Sequence, residues 1–528
     1  MKVTLPAIII FFAPFRLKKC LTLIVSVCAL SAVLLAEDIQ QVTGEDTKRL
    51  LKEADRLVKM GNFSDAATLF RRVIQLNPAD SQTKLKLSRA LLKQRNIADA
   101  YQISFDIARA EPKNAHAFAV LGTSLLAAGR FTESQDIFSN ALRLNKRESL
   151  AWYGYGLLAF YENRPDDAIK FLREAIFHDP SQPDYHFSLG QVSARFENYK
   201  EAAISYRKYL DLSKNSDDER RGRILGLIGF LDFLGSRSTL YSISGASSTK
   251  VEFKLIGNRP VIELKINDNN EPLRFVLDTG SGISVISEET AERLNIKAVS
   301  RGGSARAIGG TGEFEIVYGF LKQVSIGEVN VRNVPVYIRK FHNQSIKFDG
   351  YIGLSLISKF LTTIDYGDLT FSLLERNTGI PEAVLNESDV DSIPLRLTSS
   401  GFLSGEVMLH GIDAPLNFIV DTGASISVIS DDVANLDAVN AFERGTNMRV
   451  IGAAGIKDDV PSYMIPKISF GLHSRDQISA IALNLNMINE ATGFEQAGIL
   501  GGNFLRNYRL TFDFKSSRVV FTPVGDHD

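Results

Sequence analysis

The sequence has almost no cysteine. Among 528 residues only Cys20 and Cys28 carry a thiol, and both sit in one N-terminal apolar stretch. If that stretch is removed or buried in a membrane, the remainder has no disulfide, no cysteine nucleophile and no cysteine-based zinc or iron–sulfur site. A bias of charge is also missing. Lys plus Arg number 60 and Asp plus Glu 61, which argues against a broad basic footprint for nucleic acid. The seven histidines are scattered with no HExxH, so a zinc hydrolase is disfavoured. No G-x-S-x-G nucleophile elbow occurs. Gly309-Gly310-Thr311-Gly312 lacks the Gly-Lys-Ser/Thr ending of a phosphate loop. No metal and no organic cofactor is implied.

What is present is an ordinary globular mix, with 45% hydrophobic and 23% charged residues, which excludes a wholly disordered or collagen-like chain. At ~150 residues per domain the length predicts about three to four domains. Near the N-terminus, Arg16, Lys18 and Lys19 precede an uncharged run from Cys20 to Ala36, and Glu37 and Asp38 follow. The run is short for a spanning helix of ~20 residues and slightly long for a signal core of ~7–15. Residues 1–36 are therefore expected to be a signal peptide or an N-terminal membrane anchor. Either sends the rest of the chain across a membrane, N-terminus inside, making the protein exported: periplasmic, or anchored and facing outside the cytoplasm.

A 34-residue period follows. Pro78, Pro112 and Pro180 are spaced by 34 and 68, with Lys146 in the vacant slot. Taking that slot as position 32 of a unit, position 8 reads Ala54, Ser88, Gly122, Gly156 and Gly190. Position 20 reads Ala66, Ala100, Ser134, Ala168 and Ala202, and position 17 reads Phe63, Ile97, Phe131, Pro165 and Tyr199. Small residues at 8 and 20 suit two antiparallel helices crossing closely, and the proline ends the second helix. This pattern resembles the tetratricopeptide repeat family, in five units over residues 47–216 with a capping helix at Asp217–Leu234. The resemblance implies an all-α solenoid over 47–235 whose groove binds a protein partner. Residues 236–250, rich in serine, read as a flexible linker.

Beyond them the pattern changes to short alternating β-runs such as VEFKL and VIELKI. This half is duplicated. Phe275–Ser287, FVLDTGSGISVIS, matches Phe418–Ser430, FIVDTGASISVIS, at an offset of 143. Gly350-Tyr351-Ile352-Gly353 returns as Gly498-Ile499-Leu500-Gly501, and Thr363–Tyr366 as Thr511–Phe514, at an offset of 148. The lobes are read as residues 251–375 and 392–525, joined by 376–391. In each, a buried strand runs into Asp-Thr-Gly. A carboxylate there needs hydrogen bonds or a proton. Brought face to face, Asp278 and Asp421 would share one proton, so that one could activate a water and the other protonate a carbonyl. Asp365 and Asp513, on strands near each lobe's end, read as structural.

Two such triplets, each with a downstream apolar-apolar-Gly element, resemble the retropepsin-type aspartic proteases, here with both lobes in one chain as in pepsins. The resemblance implies an all-β two-lobed fold and hydrolysis of a protein or peptide substrate. Asp278 and Asp421 would be the catalytic pair. Thr279, Gly280, Ser281, Thr422 and Gly423 would support the active-site loops. Ile308, Gly309 and Gly310, with Ile451 and Gly452, would lie in flaps over the substrate, although neither flap has an aromatic tip. Ser281 follows the first triplet and Ala424 the second. A hydroxyl beside Asp278 alone points to Asp278 as base and Asp421 as the protonated acid. The rival readings are a non-catalytic protein-binding scaffold and a protease active only after dimerisation or partner docking.

Overall fold

A computed structural model describes residues 44–213, 218–237, 239–306, 313–341, 347–375, 392–452 and 455–525. The apolar stretch Cys20–Ala36, the connection 376–391 and the flap residues Ile308, Gly309 and Gly310 lie outside them. Among the described residues no helix is long and apolar enough to cross a membrane.

Among the described residues eleven helices run from Gly44 to Gly235, and a β-rich region follows. The helices keep the 34-residue period. Ser81, Ala115, Ser149 and Pro183 each open the first helix of a repeat, and Phe63, Ile97, Phe131, Pro165 and Tyr199 each open the second. Second helices end at Leu76, Ala110, Leu144 and His178, two residues before the proline slot. Lys146 occupies that slot without moving the end, so the stop does not depend on proline alone. The starts at Phe63, Ser81, Ile97 and Ala115 are capped: Asp80 Oδ1, for one, accepts the Thr83 N–H at 3.0 Å and Asn114 Oδ1 that of Ala117 at 3.1 Å. The small residues stand where helices touch. A Cβ on Gly122 would meet the Phe138 ring at 2.6 Å, one on Gly154 the same ring at 2.1 Å, and one on Gly156 Leu172 Cγ at 2.7 Å. Phe138 is fully buried between them.

Three sheets of described residues follow the array: one of nine strands in the first lobe, one of eight in the second, and one of six shared by both. The shared sheet carries the internal two-fold relation. Phe360–Asp365 pairs antiparallel with Tyr508–Asp513 so that Thr363 faces Thr511, its own duplicate, with the hydroxyls 3.1 Å apart. Only a two-fold axis through the pair puts equivalent residues opposite each other. Asp365 and Asp513 accept backbone N–H groups of the turns that follow them, from Gly367 at 3.0 Å and from Lys515 at 3.1 Å.

The segment 236–250 is not a flexible linker. Ser242–Gly245 pairs with Val329–Arg332, and Ser248–Glu252 pairs with Thr370–Leu374 at the edge of the shared sheet. Tyr241 is buried. Serine-rich composition reports little side-chain burial, and an edge strand is held by its backbone, so the two are compatible.

The array is seated on the lobes. Phe131 and Tyr161 pack edge-on against Phe494, at 4.9 and 5.0 Å between ring centroids. The Arg396 guanidinium lies 4.0 Å over Phe131 and pairs with Glu162 at 3.4 Å. Asn163 donates to the Phe514 carbonyl at 2.8 Å. The last helix, Asp218–Gly235, lies on the first-lobe hairpin Ser300–Arg306/Glu313–Ile326. Phe230 stacks on Tyr318 at 4.5 Å, Ser300 Oγ donates to the Gly226 carbonyl at 2.7 Å, and a Cβ on Gly226 would strike the Arg301 carbonyl at 2.0 Å.

The glycine contacts give a first prediction. Gly154→Ala drives a methyl into Phe138 and is expected to destabilise the chain by about 1–3 kcal/mol. Gly222→Ala, in a helix with open space around it, is expected to be neutral or to stabilise by up to about 1 kcal/mol. Urea midpoints of the two variants check this.

Candidate active site

Each Asp-Thr-Gly loop is made by three strand segments. Leu273–Leu277 enters, Val285–Ser287 leaves, and Gly350–Ile352 is inserted between them, parallel to the first and antiparallel to the second. The second lobe repeats this with Leu416–Val420, Ser427–Ser430 and Gly498–Leu500. Gly350 and Gly498 make the insertion fit, since a Cβ there would meet Phe275 at 2.1 Å and Phe418 at 2.2 Å. The inserted strands then fix the acids. The Asp278 N–H donates to the Ile352 carbonyl and that of Asp421 to the Leu500 carbonyl, both at 3.0 Å. Gly353 and Gly501 donate to Ser284 Oγ and Ser427 Oγ, both at 3.1 Å.

The two loops interlock through their threonines. Thr279 Oγ1 donates to the Val420 carbonyl at 2.8 Å and accepts the Thr422 N–H at 3.0 Å. Thr422 Oγ1 donates to the Leu277 carbonyl at 2.7 Å and accepts the Thr279 N–H at 3.2 Å. Both threonines are fully buried, so these four bonds close the polar groups of the junction without water. All of them join residues of one chain.

The lock sets the carboxyls side by side. A Cβ on Gly280 would fall 2.3 Å from Asp421 Cγ, and one on Gly423 2.6 Å from Asp278 Cγ. Each glycine thus makes room for the opposite acid. Each carboxyl therefore bears directly on the ionisation of the other. Asp278 Oδ1 also accepts the Gly280 N–H at 2.9 Å, and Asp421 Oδ1 accepts those of Gly423 at 2.7 Å and Ala424 at 3.1 Å. Burial, and next the charge of Asp421, hold Asp278 well above the usual carboxylate range. Burial raises Asp421 too, but the N–H donors oppose it.

The structure removes the premise of the expected division of roles. Ser281 Oγ donates to the Ile283 carbonyl at 2.7 Å, not to Asp278, so it does not favour ionisation there. A hydroxyl next in sequence is free to turn to the nearest backbone acceptor, and here it closes its own loop. The extra donor belongs instead to Asp421, from the Ala424 backbone. Backbone N–H donors are therefore more numerous at Asp421 than at Asp278.

Of the flap residues, Ile451 and Gly452 lie at the end of the hairpin Glu443–Gly452/Gly455–Phe470, paired with Ile456 and Gly455. Ile451 is 47% exposed, while Val450 packs into the apolar cluster that includes Ala424. The hairpin and the second Asp-Thr-Gly loop thus pack against one apolar cluster. One residue near Asp278 escapes the sequence reading. Arg339 ends the strand Val329–Arg339, its charge bears on Asp278, and its guanidinium lies 5.2 Å over the Phe314 ring. A comparison of the lobes position by position carries the signal, because the apolar strand in the second lobe ends without a cation.

Among the described residues no group of His, Cys, Asp and Glu could hold a metal ion.

The Aspartyl protease family profile matches residues 262–356 and 405–504. Tetratricopeptide repeat profiles match residues 57–122, 120–183 and 156–217. No curated protein matches the chain. Similar solved structures include a thermophilic TPR protein of Thermus thermophilus, 20% identical, covering 35% of this chain and 99% of that one, with a TM-score of 0.31. MamA 41-end from Desulfovibrio magneticus is 19% identical, covering 33% and 99%, with a TM-score of 0.23. The chain joins tetratricopeptide repeats to a domain of the aspartyl protease family carried in two segments.

Proposed function

We propose that the protein is an aspartic endopeptidase whose repeat array binds protein. One observation carries this reading: two half-buried carboxyls from duplicated loops, set side by side inside one chain. Such a pair holds one proton between two acids. Asp421, the better solvated by N–H donors, accepts a proton from a water as the water oxygen attacks the peptide carbonyl carbon. Asp278 gives its proton to the carbonyl oxygen. Return of a proton to the peptide nitrogen lets the amine leave, and the dyad regains its single proton. No covalent intermediate and no cofactor is needed.

The interlocked threonines favour a dyad completed within one chain over a dyad formed between chains. The repeats are proposed to recruit a substrate or an assembly partner. The basic–apolar–acidic order of residues 16–38 supports work outside the cytoplasm.

Asp278→Asn and Asp421→Asn are each expected to lower cleavage of an unstructured protein at mildly acid pH by ~10²–10⁴-fold. Peptide release measured by mass spectrometry checks this, and an unchanged rate would leave the scaffold reading in place. Mixing the two variants should restore nothing. Recovery on mixing would mean that lobes pair between chains.

Stability gives an independent check. The folded pKa of Asp278 is raised, so protonation favours folding. That contribution is complete below the ordinary carboxylate value of ~3.9 and is lost as pH rises through the folded value. Asn carries no charge to lose. Asp278→Asn should therefore melt higher than the wild type at pH 7, with the gap closing toward pH 4. A lower melting temperature at pH 7 would contradict the shared-proton account.

A further inference from the structure

The first lobe holds a cation whose charge bears on Asp278 and which the acid pair does not use. Arg339 pairs in register with Ser287, on the strand that leaves the first Asp-Thr-Gly loop. Its guanidinium lies over Phe314, the second residue of the returning hairpin strand, and 5.8 Å from the Phe341 ring centroid. Arg339 thus touches the hairpin at Phe314, and its charge bears on Asp278. With Phe314 and Ile338 it lines a cavity of about 370 Å³, enough for one amino-acid side chain.

The lining carries the cations Arg301, Arg339 and Lys340 and the acids Glu288, Glu292 and Glu315, and Arg339 offers an unused donor. Arg339 Nε is buried with no hydrogen-bond partner among the described residues, and no carboxylate there forms an ion pair with the guanidinium. Arg301, also in the lining, is already paired with Glu315 at 2.5 Å. Glu288 and Glu292 line the same cavity. They stand on the helix Glu288–Arg293, and neither bonds Arg339. A half-buried guanidinium on an aromatic face is a preorganised fork for a carboxylate.

The duplication supplies the control. In the second lobe Ser430 occupies the place of Ser287, and its partner in the same register is Leu483, a buried aliphatic residue. The two lobes therefore differ at this register position, with a cation in the first and a buried leucine in the second. Neither backbone pairing nor core packing requires a cation at this position, since leucine serves there in the copy.

We propose that Arg339 sets substrate preference: the protease takes peptides that place a Glu or Asp side chain in the first-lobe cavity, the carboxylate accepting from the guanidinium and the aliphatic stem lying on Phe314. This rests on the endopeptidase reading and names its substrate class. Arg339 also bears on Asp278, but a residue that acted only through Asp278 would change all substrates alike. A specificity residue changes one relative to another.

Matched peptides that differ only by Glu or Gln, scanned through the positions flanking the cut, separate these roles. At one position the wild type should favour Glu by about tenfold in kcat/KM, mainly through KM, as a single charge-assisted contact provides. Arg339→Leu should bring that ratio to about one, and Arg339→Lys should keep part of it. No Glu preference in the wild type, or an equal preference in Arg339→Leu, would overturn the proposal. Calorimetric binding of the same peptide pair to the full-length Asp421→Asn chain needs no catalysis. Tighter binding of the Glu peptide without cleavage by the wild type would sink the endopeptidase reading and keep this site. Cleavage of every peptide without distinction would do the reverse.

Discussion

The second half of the chain depends on one small junction, in which two threonines reach across to each other's loops. Thr279 and Thr422 each spend their hydroxyl on a carbonyl of the opposite strand and accept the opposite N–H. A second reciprocal contact, Thr363 against Thr511, lies between the two central strands of the shared sheet. Two reciprocal contacts define an axis, and the acids lie beside it. Gly280 and Gly423 are then forced, because any side chain there would occupy the space of the opposite carboxyl. The proximity of like charges follows from the backbone and not from attraction, which is why the pair must hold a proton.

Much of this was legible in the sequence because duplication writes geometry into spacing. The offsets of 143 and 148 identified equivalent residues, and equivalence under a two-fold axis is a statement about position. The 34-residue period was legible for a related reason, since small residues recur wherever helices cross. The division of roles within the dyad was not legible. It turns on whether a hydroxyl or a backbone N–H points at a carboxyl, and Ser281 and Ala424 differ in side chain while the decisive donor is main chain. The strands within 236–250 were missed for a like reason, because edge pairing is done by the backbone and leaves little mark on composition. Arg339 was missed because a cation at a strand end is ordinary until the neighbouring lobe shows leucine in its place.

The repeat array and the protease-family domain are not separate bodies on a string. Side chains of the array enter the same apolar cluster as those of both lobes. The helix Asp218–Gly235 rests on the first-lobe hairpin through Phe230, Gly226 and Ser300, and that hairpin presents Phe314 beside Arg339. The surface of the array that meets Phe494 and Arg396 is occupied by its own chain, which leaves other faces of the solenoid for partners. A hairpin braced by a helix from another domain is held in position by more than its own strand pairing.

The central claim is that the two acids communicate through a shared proton, and a carboxyl titration reads this most directly. With ¹³C-labelled aspartate in the full-length chain, the Asp278 resonance should titrate well above the ordinary carboxylate range. In Asp421→Asn, which removes the neighbouring charge, its midpoint should move to lower pH. An Asp278 midpoint that is ordinary in the wild type, or unmoved by that substitution, would show two independent carboxyls and contradict the account.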